Sequence, residues 1–154
     1  MESVSPDTLA AAASSGLTTS MSSRTFPADR TAPRAAAAWF RSAPSGLSEE
    51  RAADAELCLD ELVTNVVRYA WDDPTGHEIR VEVERGQEEL TIAVEDDGRA
   101  FDPREAPLPP MPRSLDEAIP GGRGLMLVRS IAPRVAYERR DGRNRVTIAF
   151  PLAG

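Results

Sequence analysis

Glu61 and Asn65 are the first residues of this sequence whose types and spacing could do chemistry together. Side chains four residues apart are neighbours on one side of an α-helix, so a carboxylate and an amide would lie side by side, one turn apart. For an arbitrary helix, a solvated polar face explains such a pair well. Asn counts slightly against that explanation, because it is a poor helix former in mid-helix.

The segment around this pair has the apolar periodicity of a helix that packs on a core. Its apolar residues recur at i, i+3, i+4 and i+7, which places them on one stripe: Leu59, Leu62, Val63, Val66, Val67 and Ala70. The same periodicity predicts Glu61, Asn65 and Arg68 on the opposite face. Ser48 is the expected N-cap, and the helix should run to about Trp71, where residues 72–74 (Asp-Asp-Pro) stop it.

Two glycine-containing segments further along the chain could contact a ligand. Asp96 follows an apolar run and precedes Gly98, so its carboxylate could accept a hydrogen bond from a buried ligand amine. Residues 121–124 (Gly-Gly-Arg-Gly) open a predicted helix, where unpaired N–H groups could meet phosphate oxygens. Taken alone, the first segment is typical of an acidic turn and the second of a flexible hinge.

The remaining patterns predict the elements that must position these residues. We expect a first edge strand at 22–26 and then a helix at 35–41, capped by Asp29 or Thr31. Two hairpins are expected, one from 79–84 with 90–94 and one from 135–139 with 145–150, and a late helix is expected at 121–131. Six of the 13 prolines fall in 103–120, which predicts a long irregular loop. This order favours an α/β (α+β) two-layer sandwich with a mixed, mostly antiparallel sheet and helices on one face.

Composition excludes several functional classes. All 18 basic residues are Arg, which removes the Lys of a Walker-type phosphate loop and of a Schiff base. A single Cys and a single His exclude a disulfide framework and a Cys/His zinc site within one chain. A net charge of −7 argues against nucleic acid as a direct partner. No basic leader or membrane-length apolar run is found, so we expect a cytoplasmic protein.

Order and spacing join the three segments into one pattern. Glu-x-x-x-Asn on a helix, Asp-x-Gly after a strand, a long loop and Gly-Gly-x-Gly-Leu at a helix start resemble the nucleotide-binding boxes of the GHKL ATPases, which share the Bergerat fold. The wording of DELVTNVVRYAW, VEDDGRAFDP and GGRGLMLVRSI is similar to that of the anti-sigma-factor serine/threonine kinases. The resemblance covers roughly residues 20–152, and we expect a tail over 1–20 to be disordered and one ATPase domain over 21–154.

The resemblance implies a role for each motif residue. Glu61 would be the catalytic base that takes the proton of a serine hydroxyl, and Asn65 would hold the Mg²⁺ that bridges the ATP phosphates. Asp96 would bind the adenine amino group, with Gly98 admitting the base. The cofactor-binding residues would further include Ala100, Gly122, Arg123, Gly124 and Leu125, and the ATP lid would cover about 103–120.

Two residues depart from the family pattern. Ala100 stands where the family usually has a second glycine, and Tyr69 stands where His is common after the Asn. The first change should tighten the turn without removing the adenine contact. For the second, the sequence indicates no consequence.

The resemblance implies an ATP-dependent serine/threonine protein kinase that acts as an anti-sigma factor in a partner-switching pathway. Such a kinase phosphorylates an anti-sigma-factor antagonist (a STAS-type protein), sequesters a sigma factor and forms a homodimer. The alternative is a nucleotide-gated regulatory binding protein without kinase activity. A histidine-kinase catalytic domain and a GHKL motor ATPase are less favoured, because we find neither a phosphoacceptor helix before the domain nor a transducer domain after it.

Overall fold

A computed structural model of the protein describes residues 20–73, 75–105 and 124–153. The expected N-terminal tail, most of the expected lid, Gly122 and Arg123 therefore lie outside the described residues. The described elements, in chain order, are β1 (Ser20–Pro27), α1 (Ala32–Arg41), α2 (Glu49–Tyr69), β2 (Glu78–Arg85), β3 (Glu89–Asp96), α3 (Gly124–Ile131), β4 (Arg134–Arg140) and β5 (Arg143–Pro151).

The five strands form one sheet in the order β1-β2-β3-β5-β4. Each of its four neighbouring pairs is antiparallel, so the described sheet has no parallel pairing to make it mixed. β1 is an edge strand, as its position before the first helix predicts. β3 and β5 are neighbours in this order although residues 97–142, which include α3 and β4, separate them in the chain. Because the pair is antiparallel, the end of β3 lies beside the start of β5.

One face of the sheet is apolar and lies under the helices. The inward positions of β2, β3 and β5 are almost fully buried: Ile79, Val81, Leu90, Ile92, Val94, Ile148 and Phe150. α2 packs on this face through Cys58, Leu59, Leu62 and Val63, all at 3% exposure or less. The two-layer α+β arrangement is thus confirmed, and its helix layer rests on the predicted stripe of α2.

The expected position of the polar pair on α2 needs correction. Glu61 and Asn65 are half-buried, and only Arg68 of the three polar residues is exposed. The reason is that other parts of the fold cover this side of the helix: Gly124 of α3 lies against Glu61, and Asn65 lines a cavity that also contacts the turn after β3. The pair therefore borders the core instead of opposing it.

Local sequence explains where the elements begin and turn. The Ser48 hydroxyl accepts a hydrogen bond from the Arg51 N–H at 3.2 Å and caps α2 as predicted. At α1 the cap residue is Thr31, whose N–H donates to the Asp29 carboxylate at 2.8 Å. The β4–β5 hairpin turns on Asp141 and Gly142, both at positive φ, which the two-residue hairpin turn requires.

Within residues 20–73, 75–105 and 124–153, no helix is both long and apolar enough to cross a bilayer.

Candidate functional site

A cavity lies between the second half of α2, the end of β3 and the start of β5. Most of its wall is apolar, and its polar groups come from both helix and sheet. The lining residues are Leu62, Asn65, Val66, Tyr69, Ala70, Val94, Asp96, Arg99, Phe101, Pro103, Asn144 and Val146. An apolar slot with a few convergent polar groups is the usual form of a small-molecule site.

Asp96 is the buried acid of this cavity, with only 4% of its surface exposed. Its Oδ1 accepts hydrogen bonds from the Gly98 N–H at 2.8 Å and from the Asn144 side-chain amide at 3.0 Å. Burial raises the pKa of the Asp96 carboxyl above its ordinary value, and these two hydrogen bonds oppose that rise. The carboxylate is thus held in one orientation at the floor of the cavity.

Asn144 is a site residue that the sequence reasoning missed. It is 2% exposed and lies directly opposite Asp96 in the pairing of β3 with β5. A signal was present: Asn144 begins the inward-facing alternation that continues through Val146, Ile148 and Phe150, so a polar side chain occupies a core position. A buried amide needs partners, and its natural partner was an acid at the end of a neighbouring strand.

Gly98 places the turn after β3 directly against the end of α2. A Cβ atom at this position would lie 2.5 Å from both the Cβ and the carbonyl oxygen of Ala70. The next residue, Arg99, donates its N–H to the same carbonyl at 2.9 Å. Only a glycine permits this approach, so the predicted Asp-x-Gly signature is explained by packing against the helix that carries Asn65.

Aromatic and charged side chains add further ties between the two segments. The Trp71 indole N–H donates to the Asp97 carboxylate at 3.0 Å. Its ring stacks on His77 with centroids 4.2 Å apart and planes 2° from parallel. His77 contacts Asp73 at 2.9 Å, which lowers the pKa of that carboxyl. The loop after α2 and the turn after β3 therefore form one connected unit.

Asn65 lies on the helical wall of the cavity, one turn after Glu61. Its carboxamide offers an oxygen of the kind that Mg²⁺ accepts as a ligand. The described ranges contain no group of three His, Cys, Asp or Glu side chains able to hold a metal ion without help. The single amide oxygen of Asn65 would suit a metal whose other ligands come from a bound phosphate and from water.

Tyr69 lines the same cavity and is 47% exposed. The residue that replaces the family's common His therefore lies at the mouth of the site, where a ring can cover a bound ligand.

Glu61 points its carboxylate at the start of α3. A Cβ at Gly124 would lie 2.2 Å from Oε2 of Glu61, so the absence of a side chain there makes room for the carboxylate. Burial raises the pKa of the Glu61 carboxyl, the neighbouring charge of Asp60 adds to the rise, and Arg68 opposes it. A carboxylate that holds its proton more readily than usual is suited to accept one from a hydroxyl.

The other predicted binding residues are placed as follows. Gly124 and Leu125 are buried at the start of α3. Ala100 is exposed and is not among the residues that line the cavity. The structure brings Asn65 and Asp96 to one cavity and sets Glu61 one turn away against Gly124.

Comparison with known proteins gives a family match and two similar protein kinases. Residues 26–150 match the family described as histidine kinase-like ATPase domain. The serine/threonine-protein kinase BtrW of Bordetella bronchiseptica is 39% identical over 92 residues, and the serine-protein kinase RsbW of Bacillus velezensis is 29% identical over 101 residues. These alignments cover 60% and 63% of this chain, but 65% and 61% of the relatives, so less than two thirds of either relative is spanned.

A solved structure supports the fold. The crystal structure of the RsbU and RsbW domains of Rv1364c from Mycobacterium tuberculosis superposes with a TM-score of 0.58 at 18% identity, covering 86% of this chain and 32% of that one. At that identity the likeness concerns the fold alone. The family match spans most of the sequence, and the chain therefore belongs to the histidine kinase-like ATPase domain family.

Proposed function

We propose that the protein is an ATP-dependent serine/threonine protein kinase that also acts as an anti-sigma factor. Its protein substrate is a small anti-sigma-factor antagonist of the STAS type, and its second partner is a sigma factor that it sequesters. The names of the two aligned relatives, both of them protein kinases, support the proposal. The resemblance further implies a homodimer, which light scattering after size-exclusion chromatography tests.

One observation carries the proposal: Glu61, Asn65 and Asp96 come from two distant segments and converge on one site. Asp96 and Asn65 share a cavity wall, and the Glu61 carboxylate occupies the space that Gly124 leaves. A solvated helix face would leave Glu61 and Asn65 exposed, whereas both are half-buried. In this arrangement Asp96, which would accept a hydrogen bond from the amine of a nucleobase, is separate from Glu61, which would accept the proton of a hydroxyl.

Each residue has a physical task in phosphoryl transfer. The Asp96 carboxylate accepts a hydrogen bond from the adenine amino group, and the apolar walls enclose the ring. The Asn65 amide oxygen would ligate Mg²⁺, and the ion would supply neutralisation of the phosphate charge. Glu61 takes the proton from the attacking serine hydroxyl. Such reactions depend mostly on positioning and charge neutralisation, so few protein groups suffice.

The decisive experiment measures the transfer of labelled phosphate from ATP to candidate antagonists. Glu61→Gln keeps the size and hydrogen-bonding capacity of the side chain but removes its basicity. We expect transfer to fall by about 100-fold or more, while ATP affinity measured by calorimetry stays close to that of the unchanged protein. Thr147→Val, on the sheet face away from the cavity, is the matched control and should leave both quantities unchanged.

The outcomes separate the two functions. Normal transfer by Glu61→Gln would contradict the assigned base. ATP binding by the unchanged protein without transfer to any antagonist would instead favour a nucleotide-gated binding protein. If the unchanged protein did not bind ATP, both the kinase and the nucleotide-gated binding protein would be contradicted.

A further inference from the structure

Asn144 is the most highly connected side chain at the cavity, and nothing in the sequence motifs assigns it a role. Its amide N–H₂ donates to Asp96 Oδ1 at 3.0 Å and to the Arg99 carbonyl at 2.8 Å. Its Oδ1 accepts from the Tyr137 hydroxyl at 2.6 Å, from Arg139 at 3.0 Å and from the Phe101 N–H at 3.4 Å. Both ends of a nearly fully buried amide are thus occupied.

These contacts leave only one orientation for the amide. Rotation by 180° would turn its oxygen toward two acceptors, Asp96 and the Arg99 carbonyl. It would also turn its N–H₂ toward the N–H donors of Arg139 and Phe101. Because buried polar groups without partners are costly, the hairpin residues Tyr137 and Arg139 fix the direction in which Asn144 donates.

The fixed donor determines which oxygen of Asp96 is left for a ligand. Both hydrogen bonds that Asp96 accepts from the protein, from Gly98 and Asn144, fall on Oδ1. Asp96 lines the cavity, and Oδ2 is therefore the oxygen through which it can accept a hydrogen bond from a bound amine. Arg139 also donates to the Gly98 carbonyl at 3.0 Å, so the hairpin holds the turn as well as the acid.

We propose that Asn144 is a positioning residue for base recognition: it orients Asp96 and keeps one carboxylate oxygen turned to the exocyclic amine of the nucleotide. The inference rests on the proposed binding of ATP and extends it to a residue on β5. Asn144 acts through Asp96 and does not itself touch the base.

The charges around Asp96 make this role measurable. On its own turn lies Asp97, which raises the pKa of Asp96, and from β4 comes Arg139, which lowers it. The Asn144 hydrogen bond lowers it as well, second in size only to the effect of burial. Loss of that bond therefore favours a protonated Asp96, which is a poorer acceptor for an amine.

The test compares two nucleotides with and without the adenine amine. ATP and purine riboside triphosphate, which lacks that amine, are titrated by calorimetry against the unchanged protein and against Asn144→Leu. We expect the unchanged protein to prefer ATP by about 10- to 100-fold. In Asn144→Leu the affinity for ATP should fall by a similar factor, while that for purine riboside triphosphate stays within about threefold. The preference therefore disappears.

A second variant keeps the inference falsifiable if Asn144→Leu folds poorly. Asn144→Asp preserves size and the acceptor for Tyr137 and Arg139, but sets a carboxylate oxygen against Asp96. Two carboxylates at this distance share one proton as the pH falls. We expect its ATP affinity to be weakest at alkaline pH, where both carboxylates are ionised and repel each other, and to rise as the pH falls and the pair takes up a proton.

Other outcomes are equally informative. An equal loss of affinity for both nucleotides in Asn144→Leu, or a pH profile of Asn144→Asp parallel to that of the unchanged protein, would show that Asn144 is only structural. Thr147→Val, on the same strand but the other face, should keep the full preference for ATP. Failure of the unchanged protein to bind ATP at all would overturn the proposed function instead.

Discussion

The two ends of the candidate site are built differently. Around Asp96, hydrogen bonds from the turn, from Asn144 and from the β4–β5 hairpin hold the carboxylate and the turn, and Gly98 packs against the Ala70 backbone. Around Glu61, the main feature is the space left by the missing side chain of Gly124, into which the Glu61 carboxylate extends. The proposed base-binding part of the site (the base end) is thus held by a hydrogen-bond network, and the proposed catalytic part (the catalytic end) has room for its carboxylate beside Gly124.

Under the proposed function, the group that recognises the nucleobase and the group that accepts the proton are held in different ways. A base is identified by fixed acceptors, because an acceptor that rotates cannot discriminate between bases. A proton acceptor gains from a side chain that can move while the phosphate and hydroxyl arrive. Under the proposed function, a hydrogen-bond network therefore orients the Asp96 carboxylate that recognises the base, whereas the space at Gly124 accommodates the Glu61 carboxylate.

Gly98→Ala should have the largest effect, because its new methyl group would lie 2.5 Å from the Ala70 carbonyl oxygen, which is backbone. We expect a loss of about 3 kcal/mol in the free energy of unfolding and a large loss of ATP affinity. Denaturant titration and calorimetry measure the two. Near-normal stability would show that the turn at Gly98 can shift away from Ala70, contrary to the close packing seen here.

Gly124→Ala should have a smaller effect, because the clash is with the end of the Glu61 side chain. Phosphate transfer should fall severely, but stability should change by only about 1 kcal/mol. A Glu61→Ala background removes the two nearest contacts, both with the Glu61 carboxyl group, and keeps the one of 3.3 Å to the Glu61 Cβ. There the substitution should be neutral or stabilising, since Ala is the better helix former. If the effects of Gly124→Ala and Glu61→Ala on the free energy of unfolding were additive, the contact between Gly124 and the Glu61 carboxylate would be contradicted.

Trp71→Phe should weaken the tie between the loop after α2 and the base end. It removes the N–H that donates to Asp97 while keeping a ring to stack on His77. We expect a loss of about 1 kcal/mol in stability at most and a several-fold weaker affinity for ATP, with transfer at saturating ATP little changed. A fall in that saturated rate would place Trp71 at the catalytic end instead.

Glu61→Gln should have the smallest effect on stability, and its sign sharpens the comparison. A carboxyl whose pKa is raised on folding binds protons more tightly in the folded state, so its ionisation destabilises the fold at neutral pH. The variant should therefore melt at a slightly higher temperature at pH 7. The gain should vanish below the ordinary pKa of 4.5, where Glu61 is protonated both folded and unfolded. A loss of stability at pH 7 would contradict this.

The sequence predicted features that depend on neighbouring residues better than features that join distant segments. Glu61 and Asn65 belong to one helix whose period is visible locally, and the cap at Ser48 and the turn at Asp141 depend on neighbouring residues. Asn144 lies 48 positions from Asp96, and no local rule joins them. The half-burial of Glu61 and Asn65 was also hidden, because it depends on α3 and on the turn after β3, which pack beside α2.

The pairing of Asp96 with Asn144 has a consequence for folding. These residues are direct partners in the register of β3 and β5, and a slip of one residue would turn every side chain of β5 to the other face. The amide would then point away from the acid. Closure of a contact over such a separation comes late and slowly. Competence to bind nucleotide should therefore appear only with the last strand, and bound nucleotide should select against chains with misaligned strands.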